Sequence, residues 1–332
     1  MTRALSRRRF LAGSIASSVA ASAVMSVEEH RLLAHAPSAG GVTVTPTVHS
    51  DRWLGQIGAV KISRLICGGN LMGGYAHSRD LIYVSELLKH YFTEARMMDT
   101  WALCEQHGVN TMIAFFGDSH CIDAYRKYRA RGGAIQYVAQ IDPDPKDLGA
   151  VVRGAVDAGA VGAFLVGNTG DRWARGGAVG RIGEVVGLIK EAGLIAGVAG
   201  HELRTMQVVE RAGIAPDFYV KTLHDQSYWS KQQPGQDREV IDNYGIDNYW
   251  CRDPEQVVSF MSGVNRPWIA YKVLAAGAIP PKHGFTYAFR NGADFALVGM
   301  FDFQVAEDAA TTHEVLAGTT KRERPWFGVA TT

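Results

Sequence analysis

The side chains able to do chemistry in this sequence follow short apolar runs: Asn70, Asp118 and His120, Asp142, Asn168, His201 and Glu202, Lys221 and His224, Lys272, and Asp302. His201 and His224 close successive runs, so their imidazoles can converge on one divalent ion, Zn, Mn, Fe or Co, with a carboxylate from Asp302 or Glu202. The ligand set expected is His201, His224 and Asp302. Neutral, metal-free imidazoles that hydrogen-bond inside a pocket are the other reading of the same pair. Lys221 and Lys272 suggest a different chemistry. An interior lysine near a second ammonium has a lowered pKa and can move a proton or form an imine. Asp142 joins the two lysines as a candidate catalytic group, and Asn70, Asn168, His120, Tyr228 and Trp229 are the candidate substrate-binding residues.

The apolar runs that must position these groups recur in one phase. Strands are expected over Lys61–Cys67, Asn110–Phe116, Ile135–Ile141, Val161–Val166, Leu194–Val198, Phe218–Thr222, Trp268–Val273 and Phe295–Val298. Helical spacing fills the intervals, as in Val151, Val152 and Val156 or Val185, Val186 and Ile189, and Thr93 reads as the N-cap of a helix to His107. Ala158-Gly159, Ala192-Gly193, Ala212-Gly213 and Asn291-Gly292 end helices just before a strand, as C-cap glycines do. Eight such units predict a single (β/α)8 barrel. In that fold chemistry gathers at the C-terminal ends of the strands, where the polar groups above fall.

Two connections exceed ordinary barrel loops. Leu71 to Tyr91 follows strand one, and Asp225 to Pro254 follows strand six with Tyr228, Trp229, Tyr244, Tyr249 and Trp250 in it. Long loops on the active face shape a pocket, and their aromatic rings either stack on sugar faces or form a small local core. Gly277 and Gly299, after strands seven and eight, occupy places where barrels cradle phosphate; tight turns explain them equally well.

Composition bounds the rest. The 332 residues are 47% hydrophobic and 20% charged, enough for one large domain, and 34 basic against 33 acidic side chains leave no footprint for nucleic acid or an anionic membrane. Ser6-Arg7-Arg8-Arg9-Phe10-Leu11 followed by the uncharged Ala12 to Val27 resembles a twin-arginine export signal. Residues 1–40 are therefore set aside as signal and linker, with a cleavage point after Ala21-Ser22-Ala23, and 41–332 as the barrel. The resemblance implies a periplasmic or otherwise exported protein that meets the twin-arginine translocase and keeps no membrane anchor. Cys67, Cys104, Cys121 and Cys251 form no C-x-x-C pair and read as buried free thiols.

Four family resemblances attach to particular residues. The order His201, His224, Asp302 is similar to the metal ligands of the amidohydrolase superfamily, although Cys67-Gly68-Gly69-Asn70 stands where that family has His-x-His. Asp217-Phe218-Tyr219-Val220-Lys221-Thr222 and Lys272-Val273-Leu274-Ala275-Ala276-Gly277 resemble strands six and seven of class I deoxyribose-phosphate aldolases, which would make Lys221 the Schiff-base nucleophile and Lys272 its pKa-lowering neighbour. Ile62 to Gly74 and Ala102 to Asn110 resemble the opening of aldo-keto reductases. Those enzymes need an Asp and a Tyr after strand two and a Lys on strand three, where this chain has Ile113-Ala114-Phe115-Phe116-Gly117-Asp118 and Ala139-Gln140-Ile141-Asp142. Across most of its length, through Cys67 to Asn70, Lys221 to His224, Tyr228-Trp229-Ser230, Trp268 to Val273 and Gly299 to Gln304, the chain resembles exported aldo-keto-reductase-like barrels of planctomycete-type bacteria whose activity is unassigned.

Together these readings predict an exported barrel lyase or isomerase that acts on a small carbohydrate or keto-sugar by metal-assisted proton abstraction, without a nicotinamide cofactor. A Schiff-base aldolase using Lys221, a metal-dependent hydrolase and a non-catalytic periplasmic sugar-binding barrel are the alternatives.

Overall fold

The computed structural model describes residues 49–328 apart from 76, 78–80, 82, 235–240, 243–244, 247–249 and 323. The export signal, its linker, Tyr244 and Tyr249 lie outside the described residues. Eight parallel strands close into a barrel: β1 (Leu65–Gly68), β2 (Thr111–Phe115), β3 (Gln136–Ile141), β4 (Gly162–Leu165), β5 (Ile195–Gly200), β6 (Phe218–Thr222), β7 (Trp268–Tyr271) and β8 (Phe295–Gly299), each paired with its neighbours and β8 with β1. Helices alternate with them, and none of the described helices is long and apolar enough to cross a membrane. Gly108, with φ +75°, and Gly159, with φ +78°, end their helices in the left-handed region that a side chain disfavours.

Period-two alternation divides every strand between two cores. Ile66, Ile113, Val138, Phe164, Phe218, Val220, Ile269 and Phe295 fill the lumen. Their neighbours Leu65, Met112, Tyr137, Ala163, Tyr219, Trp268 and Ala296 face outward against the helices. An antiparallel hairpin, Leu54–Ile57 with Val60–Ser63, adds Ile57 and Ile62 to the lumen core. It closes the end where the strands begin, so the opposite end is left for chemistry.

The expected strand Lys61–Cys67 is two elements. Its first half belongs to the hairpin, and the break falls at Arg64, whose guanidinium donates to the backbone carbonyls of Asp294 and Phe327. The stretch read as a loop after β1 contains a helix, Tyr83–Tyr91, and the loop after β6 carries two short paired segments, Ile241–Asp242 and Gly245–Ile246. All four cysteines are free and buried, as expected.

One buried acid makes stability depend on pH. Asp308, in the helix Val305–Gly318, is 3% exposed, and burial, with a smaller contribution from Glu307, pushes its carboxyl up to about 7. An unfolded chain ionises this group near pH 4 while the folded protein keeps it protonated, so stability falls as pH rises from about 4 to about 7. The whole effect is roughly 4 kcal/mol at most. Asp308→Asn is therefore expected to raise the urea midpoint at pH 8 and leave it nearly unchanged at pH 4.

Candidate active site

The open end of the barrel is built around His201. It follows β5 and lies in phase with the inward-facing Ala199. Asp171, in the helix Gly167–Arg175, faces it: Oδ2 accepts from the His201 backbone N–H at 3.0 Å and lies 2.8 Å from Nδ1. Thr205 Oγ1 and the Glu202 N–H donate to Oδ1 at 2.6 and 3.2 Å. A carboxylate can only accept, so Nδ1 carries the imidazole proton and Nε2 the lone pair.

Electrostatics hold this pair in the form a base needs. Burial pulls His201 down to about 4, with Lys272 and His77 acting the same way against the pull of Asp171. Burial alone would raise Asp171, but the hydrogen bonds from His201 and Thr205 outweigh it and the carboxyl titrates below its ordinary value. At neutral pH the site holds a neutral imidazole and a carboxylate. Gly167 makes the close packing feasible, because a Cβ there would lie 2.5 Å from His201 Cε1 and 2.7 Å from Tyr271 Oη.

Lys272 reaches this mouth through an unusual backbone. Alternation along β7 turns Tyr271 inward, and the next residue would point out towards the helices. Instead Lys272 has φ +59°, a left-handed conformation that costs a non-glycine residue about 1–2 kcal/mol. Its Nζ lies 2.5 Å from His77 Nε2. His224 holds the turn. Its Nε2 accepts the Cys251 N–H at 2.9 Å, so Nδ1 is the donor, and it donates to the Lys272 carbonyl at 2.9 Å. Tyr228 Oη lies 3.1 Å from the same Nε2. Burial pushes His224 down to about 3.

These contacts correct the expected metal set. Both ring nitrogens of His224 are committed, His201 Nδ1 is turned to Asp171, and Asp302 accepts from Tyr91 Oη at 2.5 Å and Arg96 Nη1 at 2.6 Å. Asp302 thus ties the loop after β1 to the end of β8. Among the described residues no three His, Cys, Asp or Glu side chains form a group that could hold a metal ion. With His224 and Asp302 engaged otherwise, the expected set of three is not assembled.

Lys221 is corrected as well. Phe218 and Val220 face the lumen, so Lys221 faces away from it; it is 1% exposed, and its Nζ donates to the carbonyls of His201 at 2.7 Å and Thr222 at 3.0 Å. Burial lowers its pKa. Asp171 and Glu202 oppose that lowering. Its outward phase does not suit the aldolase-like role of a nucleophile in the lumen.

The other candidates lie on the same end of the barrel. Asn70, His120, Asp142 and Asn168 are exposed, and Asp142 accepts from Thr169 Oγ1 at 2.6 Å. Tyr228 is buried with Trp250, Ala275 and Ile279 in a local core, whereas Trp229 is 88% exposed. Tyr228, expected to bind substrate, thus belongs with Trp250 to the local core that holds the loop, and Trp229 stands at the surface.

Sequence reasoning missed Asp171, Tyr271, His77 and Thr222. Thr222 follows Val220 in the inward phase, is fully buried, and its Oγ1 has no hydrogen-bond partner among the described residues. The alternation Phe218-x-Val220-x-Thr222 was the signal that could have found it. Asp171 carried none, because it sits inside a helix rather than at a strand end.

No family model matches the chain, and no curated protein sequence is similar to it. Solved structures share its fold. Two are of Pseudomonas aeruginosa proteins provisionally described as aldo-keto reductases: one is 15% identical, with a TM-score of 0.57 over 83% of this chain and 100% of its own. The other is 14% identical, with a TM-score of 0.56 over 84% and 99%. At such identities the likeness extends to the barrel alone.

Proposed function

We propose that this barrel is an enzyme of the isomerase or lyase type that moves a proton next to the carbonyl of a small keto-sugar or related polyhydroxy substrate. The observation that carries the reading is the His201–Asp171 pair at the mouth, neutral imidazole against carboxylate, with Lys272 turned into its electrostatic field. His201 Nε2 takes the proton from carbon, Asp171 holds the tautomer and balances the imidazolium that forms, and Lys272 donates to the oxygen on which negative charge develops. Asn70, Asn168, Asp142 and Trp229 offer hydroxyl-binding groups and a ring face around the rim. No step is routed through the expected metal, since His224 and Asp302 are engaged elsewhere, and the reading calls for no nicotinamide.

The Schiff-base reading survives only if Lys272 replaces Lys221 as nucleophile. Borohydride added during turnover separates the two: no adduct is expected, and a reduced adduct on Lys272 would overturn the proton-transfer reading. Candidate ketoses and sugar acids incubated in heavy water, without nicotinamide, test the proposal itself through exchange at the carbon beside the carbonyl. Absence of exchange with every turned-over substrate would refute it.

Export by the twin-arginine route is the companion proposal, supported by Ser6 to Leu11. Arg7→Lys with Arg8→Lys should trap the protein in the cytoplasm, and normal export of that variant would contradict it.

A further inference from the structure

A cavity of about 550 Å³ lies at the closed end of the barrel and is lined by Arg290, Lys321, Arg322, Arg324, Asn291 and Ser262 among others. Among the described residues no carboxylate lines it. We propose that this cavity binds a small, multiply charged oxyanion, a free phosphate- or diphosphate-bearing molecule, at a site separate from the catalytic mouth.

Positive charge outweighs negative here among the described residues. Asp294, fully buried, is the acid beneath the cavity: Arg324 Nη1 donates to its Oδ2 at 2.5 Å, Arg322 Nη2 is 3.5 Å from Oδ1, and Arg64 Nη1 donates to its backbone carbonyl at 3.0 Å. The helices Pro254–Ser262 and Pro281–Arg290 end here. Arg322 and Arg324 cap the carbonyls beyond them, Val264, Gly292 and Ala293. Each helix end contributes about half a negative charge. Among the described residues, two helix ends and Asp294 thus offset about two of the three buried guanidinium charges. Arg290 and Lys321 stand exposed on the rim and add two more.

Burial pulls Arg322 down to about 10, and Arg324, Arg64 and Arg52 push the same way against Asp294. Arg324, 3% exposed, keeps its Nε without a hydrogen-bond partner among the described residues. A cavity of this size with a positive floor and rim suits an anion larger than chloride, and the paired donors of arginine suit phosphate oxygens.

Isothermal titration of the full chain with inorganic pyrophosphate, against sodium chloride at matched ionic strength, tests this. Saturable one-to-one binding is expected for the wild type. Arg290→Glu combined with Lys321→Glu, both at exposed positions, should weaken it at least tenfold, and Arg290→Lys with Lys321→Arg should retain it. No saturable binding, or equal affinity in the charge-reversed variant, would overturn the proposal. So would co-sedimentation with phosphatidylglycerol vesicles in the absence of soluble binding, which would make the ligand a lipid headgroup. Neither Arg290 nor Lys321 belongs to the catalytic mouth, so the result is independent of the proposed reaction.

Discussion

Replacing His201 by alanine is expected to lower kcat/KM by about 10²- to 10⁴-fold, the range that a positioned general base supplies. That is roughly 3–5 kcal/mol of transition-state stabilisation. The imidazole is the group that Asp171 orients and that burial keeps neutral at working pH, so little basicity remains without it. Asp171→Asn should cost about 10²-fold or more by another route: an amide can present its NH2 to Nδ1 and permit the wrong tautomer. Because Thr205 and two backbone N–H groups also donate to Asp171, this variant should lose stability too, whereas His201→Gln should fold with a near-normal denaturation midpoint. Steady-state kinetics with parallel urea unfolding distinguish the two. Full activity in either His201 variant would remove the base from the account.

The largest expected effect on stability lies at the opposite end. Asp294 accepts from the backbone N–H groups of Trp268 and Phe327, both at 2.9 Å, as well as from Arg324, and it is fully buried. Asp294→Ala removes the acid and leaves Arg322 and Arg324 buried without their counter-charge, a change that costs about 3–5 kcal/mol. The loss should reach beyond the site. Arg64 bonds Asp294 and Phe327 through their carbonyls, and Gly328 accepts from the Gln56 N–H at 2.5 Å, so the C-terminal segment and the hairpin share this anchor. Chemical denaturation should show a lower midpoint, and a midpoint within about 0.5 kcal/mol of wild type, the scale of an ordinary surface change, would show that the arginines find other partners.

The barrel was legible because its signals are local. Apolar runs bounded by helix-ending glycines such as Gly159 and Gly193 mark each strand, and a residue with φ +78° must be one that tolerates it. The rough position of the site was legible too, since strand ends carry it. What each side chain does there was not. Lys221 and Thr222 are adjacent, yet only the phase set by Phe218 and Val220 decides that the threonine faces the lumen and the lysine does not. Lys272 escapes that rule by adopting φ +59°, and no sequence pattern announces a left-handed lysine. His224 looks like a ligand until the Cys251 N–H, from a distant stretch of chain, occupies its second nitrogen. Arg64, Arg322 and Arg324 likewise meet around Asp294 only once the tail is folded beneath the barrel.

The central claim is that a neutral His201 abstracts a proton from carbon. The pH dependence of solvent-deuterium incorporation into a turned-over substrate tests it most directly. A base whose pKa lies near 4 predicts deuterium beside the carbonyl at a rate that is flat through neutral pH, falls only as pH drops towards about 4, and is unchanged by a chelator. Turnover without deuterium incorporation, or activity abolished by chelation and restored by added zinc or manganese, would contradict it.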